Sequence, residues 1–522
     1  MLIDPSVRVD LFHTPTGTAV ADVLINGHRE TWPIRSVRFR AWLRRQYYET
    51  TGNAASADCV NSTLNLLETS AQFDGPERAV HVRVAEQDGH IFLDLADEHW
   101  RAIEIRPDGW CVVGCPPVRF RRPAGLLPLA LPQRGGSLEH LASLLNLSSQ
   151  NDFVLVVMWL LAALRPSGPY PLLAISGEQG SAKTILSKML RALVDPNAAP
   201  VRALPREERE LFIAANNGHV LAFDNISRLR SWFSDALCRL ASGGGFAVRQ
   251  LYTDQNEMLF DAARPVILNG IEEVITRPDL ADRSIFLTWP PVADARRQSE
   301  RDLWRQFELA RPRILGALLD LVVHGLRTLP GIGLDRLPRM ADFALWGAAC
   351  ETALWPAGTF VRAYEANRKS AIEGITDADP VAACVREIVA ERNSWMGTAV
   401  DLVRLGADGN SDSRSDSRTG WPKSPRALAG RLRRAQTFLR ALGIDIAFSR
   451  EGRAGSRMIS IRARLEGTVS TVSNVRHNGL RSGSGQPPPA PTGAVREDHC
   501  RADLADRGPA AQAVSDTGRR RC

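Results

Sequence analysis

Apolar and polar positions alternate with a period of two in VRVDLF, AVHVRV and IFLDL, which predicts short β-strands within residues 1–135. A stretch near 37–70 repeats closer to the helical period, so this region is expected to form a small α+β domain. Proline breaks both periods in CPPVRFRRPAGLLPLALPQRGG (115–136), which reads as a linker. Beyond it, SLEHLASLLNL and the apolar run VLVVMWLLAAL (154–164) predict helices. Strand–turn–helix units from 171 to about 290 predict a parallel α/β core, and from about 300 to 400 the pattern turns helical. GADGNSDSRSDSRTG (406–420) reads as a flexible polar joint. Past 466 the chain is rich in Gly, Pro, Ser and Arg without periodicity, which predicts a disordered tail. The expected division is therefore 1–135, 136–298, 299–400, 401–465 and 466–522.

At 522 residues the chain is too long for one hydrophobic core, and 44% hydrophobic with 24% charged residues is an ordinary globular balance. The net charge of +7 points toward nucleic acid only if it is concentrated. Eight cysteines are scattered with no CxxC pair and no zinc-type spacing; Cys111 and Cys115 are read as buried thiols in a β-rich segment. The run at 154–164 falls short of the ~20 residues a membrane span needs, and the N-terminus carries no basic stretch followed by an apolar core. A cytoplasmic protein with no membrane partner is expected.

Only four of the 65 basic residues are lysines, and one of them, Lys183, stands in LLAISGEQGSAKTILSKML (172–190). Gly177, Glu178, Gln179, Gly180, Ser181, Ala182, Lys183 and Thr184 follow the phosphate-loop pattern G-x-x-x-x-G-K-[ST], with alanine in place of the last glycine. A strand precedes and a helix follows, as the motif requires. Backbone N–H groups of such a loop would cradle ATP phosphates, Lys183 would reach the β- and γ-phosphates, and Thr184 would hold Mg²⁺. A compact ammonium fits among phosphate oxygens where a planar guanidinium would not.

Downstream, HVLAFDNIS (219–227) is an apolar strand ending in Asp224, suited to organise Mg²⁺. Asn225 follows where many such ATPases carry an acidic residue, so the hydrolytic base is unassigned. RPVILNG (264–270) is a further strand ending in Asn269, either a γ-phosphate sensor or a turn-forming Asn-Gly. In RPDLADRSIFL (277–287), Arg283 would reach a neighbouring subunit's nucleotide, or pair with Asp279 or Asp282.

With LCRLASGGGFAVRQLYTDQNEMLFDAARPVILNG (237–270), these motifs resemble the superfamily 3 helicase core of phage and viral primase–helicases, a branch of the AAA+ ATPases, over about 137–290. The chain as a whole is similar to ATP-binding proteins of bacterial prophages and integrative elements. The resemblance implies a P-loop fold with a helical lid, and a homo-oligomeric ring, expected as a hexamer. It implies ATP hydrolysis at subunit interfaces, DNA moving through the centre, and a primase or polymerase as a further partner. It places Arg249 and Tyr252 on a DNA-facing hairpin, where arginine holds phosphate and an aromatic ring stacks on a base. Arg339, in LPRMADFALW, is expected to touch phosphate in cis. The rival reading is a nucleotide-switched DNA-binding protein with little hydrolysis, which Asn225 favours.

Residues 401–465 hold 14 Arg and Lys against 6 Asp and Glu, a surplus larger than the net charge of the whole chain. WPKSPRALAGRLRRAQTFLRALG (421–443) predicts a helix capped by Ser424 and closed by Gly443, with Leu428, Leu432, Ala435, Phe438, Leu439 and Leu442 on its apolar face. Arg426, Arg431, Arg433 and Arg434 fall largely outside that face. The two strands that follow complete an expected winged-helix-like DNA-binding module, with a first helix cut short by the polar segment before Trp421.

Overall fold

The computed structural model describes residues 9–244, 246–249, 257–260, 263–271, 274–293, 295, 297–408, 421–451 and 456–464. The expected tail from 466 lies outside these residues. At the N-terminus, β1 (Val9–His13), β2 (Ala19–Ile25) and β3 (His28–Pro33) form an antiparallel meander. The β2–β3 turn is Asn26-Gly27, both at positive φ (48° and 85°), which matches the twist of a tight hairpin. Helices α1 (Val37–Thr51) and α2 (Ala57–Phe73) start at Ser36 and Ser56, whose hydroxyls accept the N–H of Phe39 and Cys59. They bury Phe39, Leu43, Val60 and Leu64 against Ala21, Val23 and Trp32 of the sheet.

Apart from Trp100, the rest of the expected N-terminal domain does not share this core. β4 (Val80–His81) pairs with β9 (Arg119–Phe120), and β5 (Val84–Gln87), β6 (His90–Asp94), β7 (Ala102–Arg106) and β8 (Gly109–Val113) form a second meander. Ile91, Leu93, Ile103, Ile105 and Trp110 join the main core. The proline-rich strip is a staple and not a loose linker. Leu129 N–H donates to Leu95, Leu127 N–H to Pro196 and Gln133 N–H to the Pro312 carbonyl. Its contact with the later helices is close enough that a Cβ on Gly136 would lie 1.9 Å from Arg313 O.

The central layer comprises α3 (Glu139–Leu144), α4 (Gln150–Ala163), β10 (Leu172–Gly177), α5 (Lys183–Val194), α6 (Glu208–Asn216) and β11 (Leu221–Ile226). It continues through α7 (Ser231–Ser242), the hairpin strands β12 (Phe246–Arg249) and β13 (Glu257–Phe260), β14 (Val266–Gly270), α8 (Pro278–Ala281) and β15 (Ser284–Trp289). The sheet order is β11-β14-β10-β15, all parallel. Its strands are near-continuous apolar runs because helices cover both faces, giving a mixed α/β chain. A helical layer follows: α9 (Glu300–Thr328), α10 (Ala341–Glu351) and α11 (Thr359–Ala378). Among the described residues α9 is long and apolar enough to cross a membrane by composition. Here it is a core helix, touching β7, β8, α3, α4, α5 and α10.

A separate core begins at Val381, not at 401 as expected. It joins α12 (Pro380–Arg392), β16 (Ser394–Thr398), α13 (Ala399–Asp408), α14 (Pro425–Ala441), β17 (Ile444–Glu451) and β18 (Ser456–Ala463). The sheet order is β16-β18-β17, antiparallel throughout. Val385, Ile388, Leu402, Leu432 and Ile461 fill this core, so α12 and β16 belong with the basic helix and not with the helical layer.

Candidate nucleotide site and basic module

β10 ends at Gly177, where a Cβ would stand 2.4 Å from the Trp289 carbonyl oxygen, so only glycine lets the chain leave the sheet there. The loop then turns through Gly180 (φ 83°) and Ala182 (φ 66°, ψ 20°). Ala182 therefore adopts the left-handed conformation, which glycine takes freely and alanine at a cost of about 1–2 kcal/mol. Glu178, Gln179 and Gly180 are exposed, while the Ser181 side chain is buried and its Oγ donates to Glu178 O (2.8 Å).

Lys183 opens α5. Its Nζ donates to Gly177 O (2.8 Å), Glu178 O (2.6 Å) and Ser181 Oγ (3.1 Å), so the ammonium is ringed by oxygens of its own loop. Burial lowers its pKa, and the nearby Asp224 carboxylate opposes that shift. Thr184 follows, half-buried in the first helical turn.

Strand register brings the downstream residues to the same edge. Asn269 pairs with Ile175 of β10, and Leu268 with Phe223, the residue before Asp224. The β11 register shifts between Phe223 and Ile226, a bulge that turns Asp224 and Asn225 out of the ladder. Asn225 sits at φ 56° with its side chain exposed, and its N–H donates to Asp224 Oδ1 (2.8 Å). Asn269 is 2% exposed and its Nδ2 has no hydrogen-bond partner among the described residues, a buried donor left open by them. Beside the loop lies a cavity of about 820 Å³ walled by Gly180, Ala182, Met189, Leu144, Asn146 and Trp289. No local pattern signals this wall: residues around 146 and 289 are brought together by tertiary contacts such as Asn146 Nδ2 donating to Pro290 O (3.0 Å) and Ser148 Oγ to Thr288 O (3.0 Å).

Arg283 lies at the other end of the sheet. It precedes β15, whose Ser284 pairs with Leu172 while Trp289 pairs with Gly177. Five strand residues separate the two edges, roughly 16 Å. Arg283 Nη1 donates to Asp279 Oδ1 (2.7 Å) and Asp279 O (2.9 Å), the ion pair considered as its alternative. Arg339 Nη2 shares Asp279 Oδ1 (2.9 Å), and Arg368 pairs with Asp282. Arg339, expected to touch phosphate in cis, is placed in the Arg283 cluster through Asp279 and Asp282.

Of the hairpin residues, Arg249 ends β12 opposite Glu257, while its side chain and Tyr252 lie outside the described residues. On α14, the Ser424 Oγ caps Ala427 N (3.3 Å) and Leu428, Leu432, Ala435 and Leu439 are buried. Arg426 and Arg434 are exposed, and no described residue pairs with either. Arg433 lies over the Phe448 ring of β17, 4.8 Å from its centroid. Arg431 instead pairs with Asp379 through Nε (2.9 Å), joining α14 to the start of α12.

Behind the loop helix, Asp195 anchors a buried cluster invisible in sequence. Arg83 Nε reaches Asp195 Oδ1 (3.1 Å), Arg191 Nη2 lies 3.9 Å from Oδ2, and Oδ2 accepts His219 N (2.9 Å) and Val220 N (3.1 Å). This ties the C-terminal end of α5 to the start of β11 and to the second meander.

Residues 138–377 match the family model for the actinomycete integrative conjugative element replication protein, and residues 381–474 match the AICE RepA C-terminal domain. The chain is thus similar to replication proteins of mobile elements across its α/β core, helical layer and basic module, and the break between matches falls where the second core begins. Among solved structures, the apo A form of the NrS-1 C-terminal region aligns with a TM-score of 0.40 and 10% identity over 87% of this chain and 96% of that one. A ligand-bound JCV helicase aligns with a TM-score of 0.22 and 13% identity over 43% and 66%. At TM-scores below 0.5 these likenesses fix neither fold nor function. No curated protein matches the chain.

Proposed function

We propose that the chain binds ATP at residues 177–184 and acts as a DNA-dependent ATPase of the superfamily 3 helicase kind in the replication of a mobile element. The observation that supports this most is the meeting, at one edge of a parallel sheet, of Lys183, Asp224 and the Asn269 amide, which is unpartnered among the described residues. The residues fit a polyphosphate: an ammonium ringed by loop oxygens would exchange them for phosphate oxygens, and an open buried donor awaits an acceptor. Thr184 and Asp224 would hold Mg²⁺, which when bound neutralises charge between the phosphates. The Asn269 Nδ2 would donate to the terminal phosphate or to the attacking water. The cavity beside Ala182 would take the base.

Arg283, separated from its own loop by the length of β15, would serve the nucleotide of a neighbouring copy, which favours a closed homo-oligomeric ring such as a hexamer. Arg339, sharing Asp279, is a candidate for the same role. In the basic module, the succession helix, strand, helix, helix, strand, strand with order β16-β18-β17 supports a winged helix. There α14 would enter a major groove with Arg426, Arg433 and Arg434, and Arg431 would hold the module together. A primase or polymerase would be a further partner.

The second reading, a nucleotide switch with little turnover, is favoured by Asn225, an exposed amide beside Asp224 in place of a carboxylate. Steady-state ATPase activity of wild type and Lys183→Ala, with and without single-stranded DNA, separates the two. DNA-stimulated turnover lost in the variant fits the motor; binding without turnover fits the switch. Absence of nucleotide binding by wild type overturns both.

A further inference from the structure

The seam between the α/β core and the basic module encloses a cavity of about 420 Å³. One wall is the segment Ile275–Pro278 leading into α8, another is the end of α11 with Thr376 and Asp379, and the third is a flank of α14 with Arg431, Arg434 and Phe438. Among the described residues, Arg277, Arg431 and Arg434 line it against a single carboxylate, Asp379. That carboxylate is already occupied: Oδ2 meets Arg431 (2.9 Å) and Oδ1 accepts Val381 N (2.8 Å). Arg277 pairs with Asp235 (2.7 Å) across the core surface, yet its side chain stays 41% exposed. Arg434 is exposed, and no described residue pairs with it. Among the described residues the cavity therefore carries one arginine, Arg434, that no carboxylate offsets, over an apolar floor of Ile275, Ile375 and Phe438.

Its position on α14 gives the charge a direction. At 100° per residue, Arg426 and Arg433 fall on the side opposite Leu428, Leu432 and Leu439, and Arg434 turns from that side toward the seam. A positive surface thus continues from the exposed face of α14 into the cavity and on to Arg277 of the core. An arginine-bordered groove poor in carboxylates fits a phosphodiester backbone, which demands charge and tolerates any sequence.

We propose that the seam is a nucleic-acid backbone site, in which DNA held on α14 crosses to the ATPase core with its phosphates contacted by Arg434 on one side and Arg277 on the other. This rests on the reading of α14 as a DNA-binding helix. It gives the module a physical route to α8, whose Asp279 holds Arg283 and Arg339.

The test is fluorescence anisotropy of labelled duplex DNA with the full chain across about 50–200 mM salt, for wild type, Arg277→Ala, Arg434→Ala and Arg426→Ala. Each lost phosphate contact lowers the slope of log affinity against log salt by about 0.9, so Arg277→Ala and Arg434→Ala should each lose about 3.5-fold less affinity than wild type over that range. Asp235→Ala breaks the same surface pair as Arg277→Ala but leaves the arginine, and should bind DNA as tightly as wild type or tighter. If Arg426→Ala weakens binding while Arg277→Ala leaves the slope unchanged, the crossing is overturned and the α14 reading stands, whatever Arg434→Ala does. If Arg426→Ala also leaves binding unchanged, the α14 reading falls with it. A loss in Asp235→Ala equal to that in Arg277→Ala would assign the effect to the surface pair and overturn the seam.

Discussion

Replacing Asp195 by asparagine removes a charge and almost no volume from a fully buried cluster, and the structure allows its effect to be worked out. Burial alone would raise the carboxyl's pKa, but Arg83, Arg191 and His219 together hold it below the ordinary value, so it is ionised in the folded state. Each oxygen faces donors: Oδ1 the Arg83 Nε, and Oδ2 the N–H groups of His219 and Val220. An amide has one acceptor oxygen and one NH₂, so either orientation sets a donor against a donor. It also leaves the Arg83 guanidinium, 0% exposed, without its counter-charge. Removing one partner of such a buried pair costs about 3–5 kcal/mol. The assay is hydrogen exchange of the full chain read by mass spectrometry, together with urea unfolding. Asp195→Asn should lower the opening free energy of peptides from α5, the start of β11 and residues 83–95 by that amount. Peptides from the basic module, which has its own core, should not change. A loss below about 1 kcal/mol in α5 would show that the cluster does not hold these elements together.

Two further outcomes follow from neighbouring geometry. Burial pushes His219 down to about 4 from 6.5, so the unfolded chain takes up a proton as pH falls below 6.5 while the folded chain does not until about 4. This contribution to stability is fully present above pH 6.5 and should fall by about 3 kcal/mol between there and pH 4; urea midpoints against pH measure it, the decline in His219→Gln being smaller by that amount. Gly177→Ala drives a Cβ against the Trp289 carbonyl and should destabilise by about 1–3 kcal/mol, whereas Gly180→Ala, with open space but φ 83°, should cost about 1 kcal/mol; thermal melts that rank the two in reverse would refute the steric reading.

Legibility in the sequence followed the range of the interaction. LLAIS, VLAFDNIS and VILNG read as strands and form β10, β11 and β14, because an apolar run flanked by glycine or a polar turn has few other solutions. Ser424 and Pro425 read as a helix start and cap α14, since capping satisfies N–H groups three residues away. The strip at 115–136 reads as a linker because proline signals a break in local periodicity, whereas the Pro312 carbonyl and Gly316 that receive it lie nearly two hundred residues on. The boundary expected at 401 falls at 381 for a related reason: α12 looks like any amphipathic helix, and partners far along the chain, Leu432 and Ile461 among them, decide which core it enters.

The sequence by itself determined several strands and helices, β10, β11, β14 and α14 among them, that one loop follows the glycine and lysine spacing of the phosphate-loop pattern, and that positive charge gathers near the C-terminus. All of these depend on residues within a turn or two of one another. Tertiary structure alone decided that Asp224 and Asn269 stand at the edge of the sheet where Lys183 begins α5, and that Arg283 and Arg339 stand at the other. A parallel sheet sets that arrangement through strand order and register, and both depend on how crossover helices pack rather than on any local pattern. The same holds for Arg83 and Asp195, 112 residues apart: a buried pair exists only once the surrounding core has excluded water.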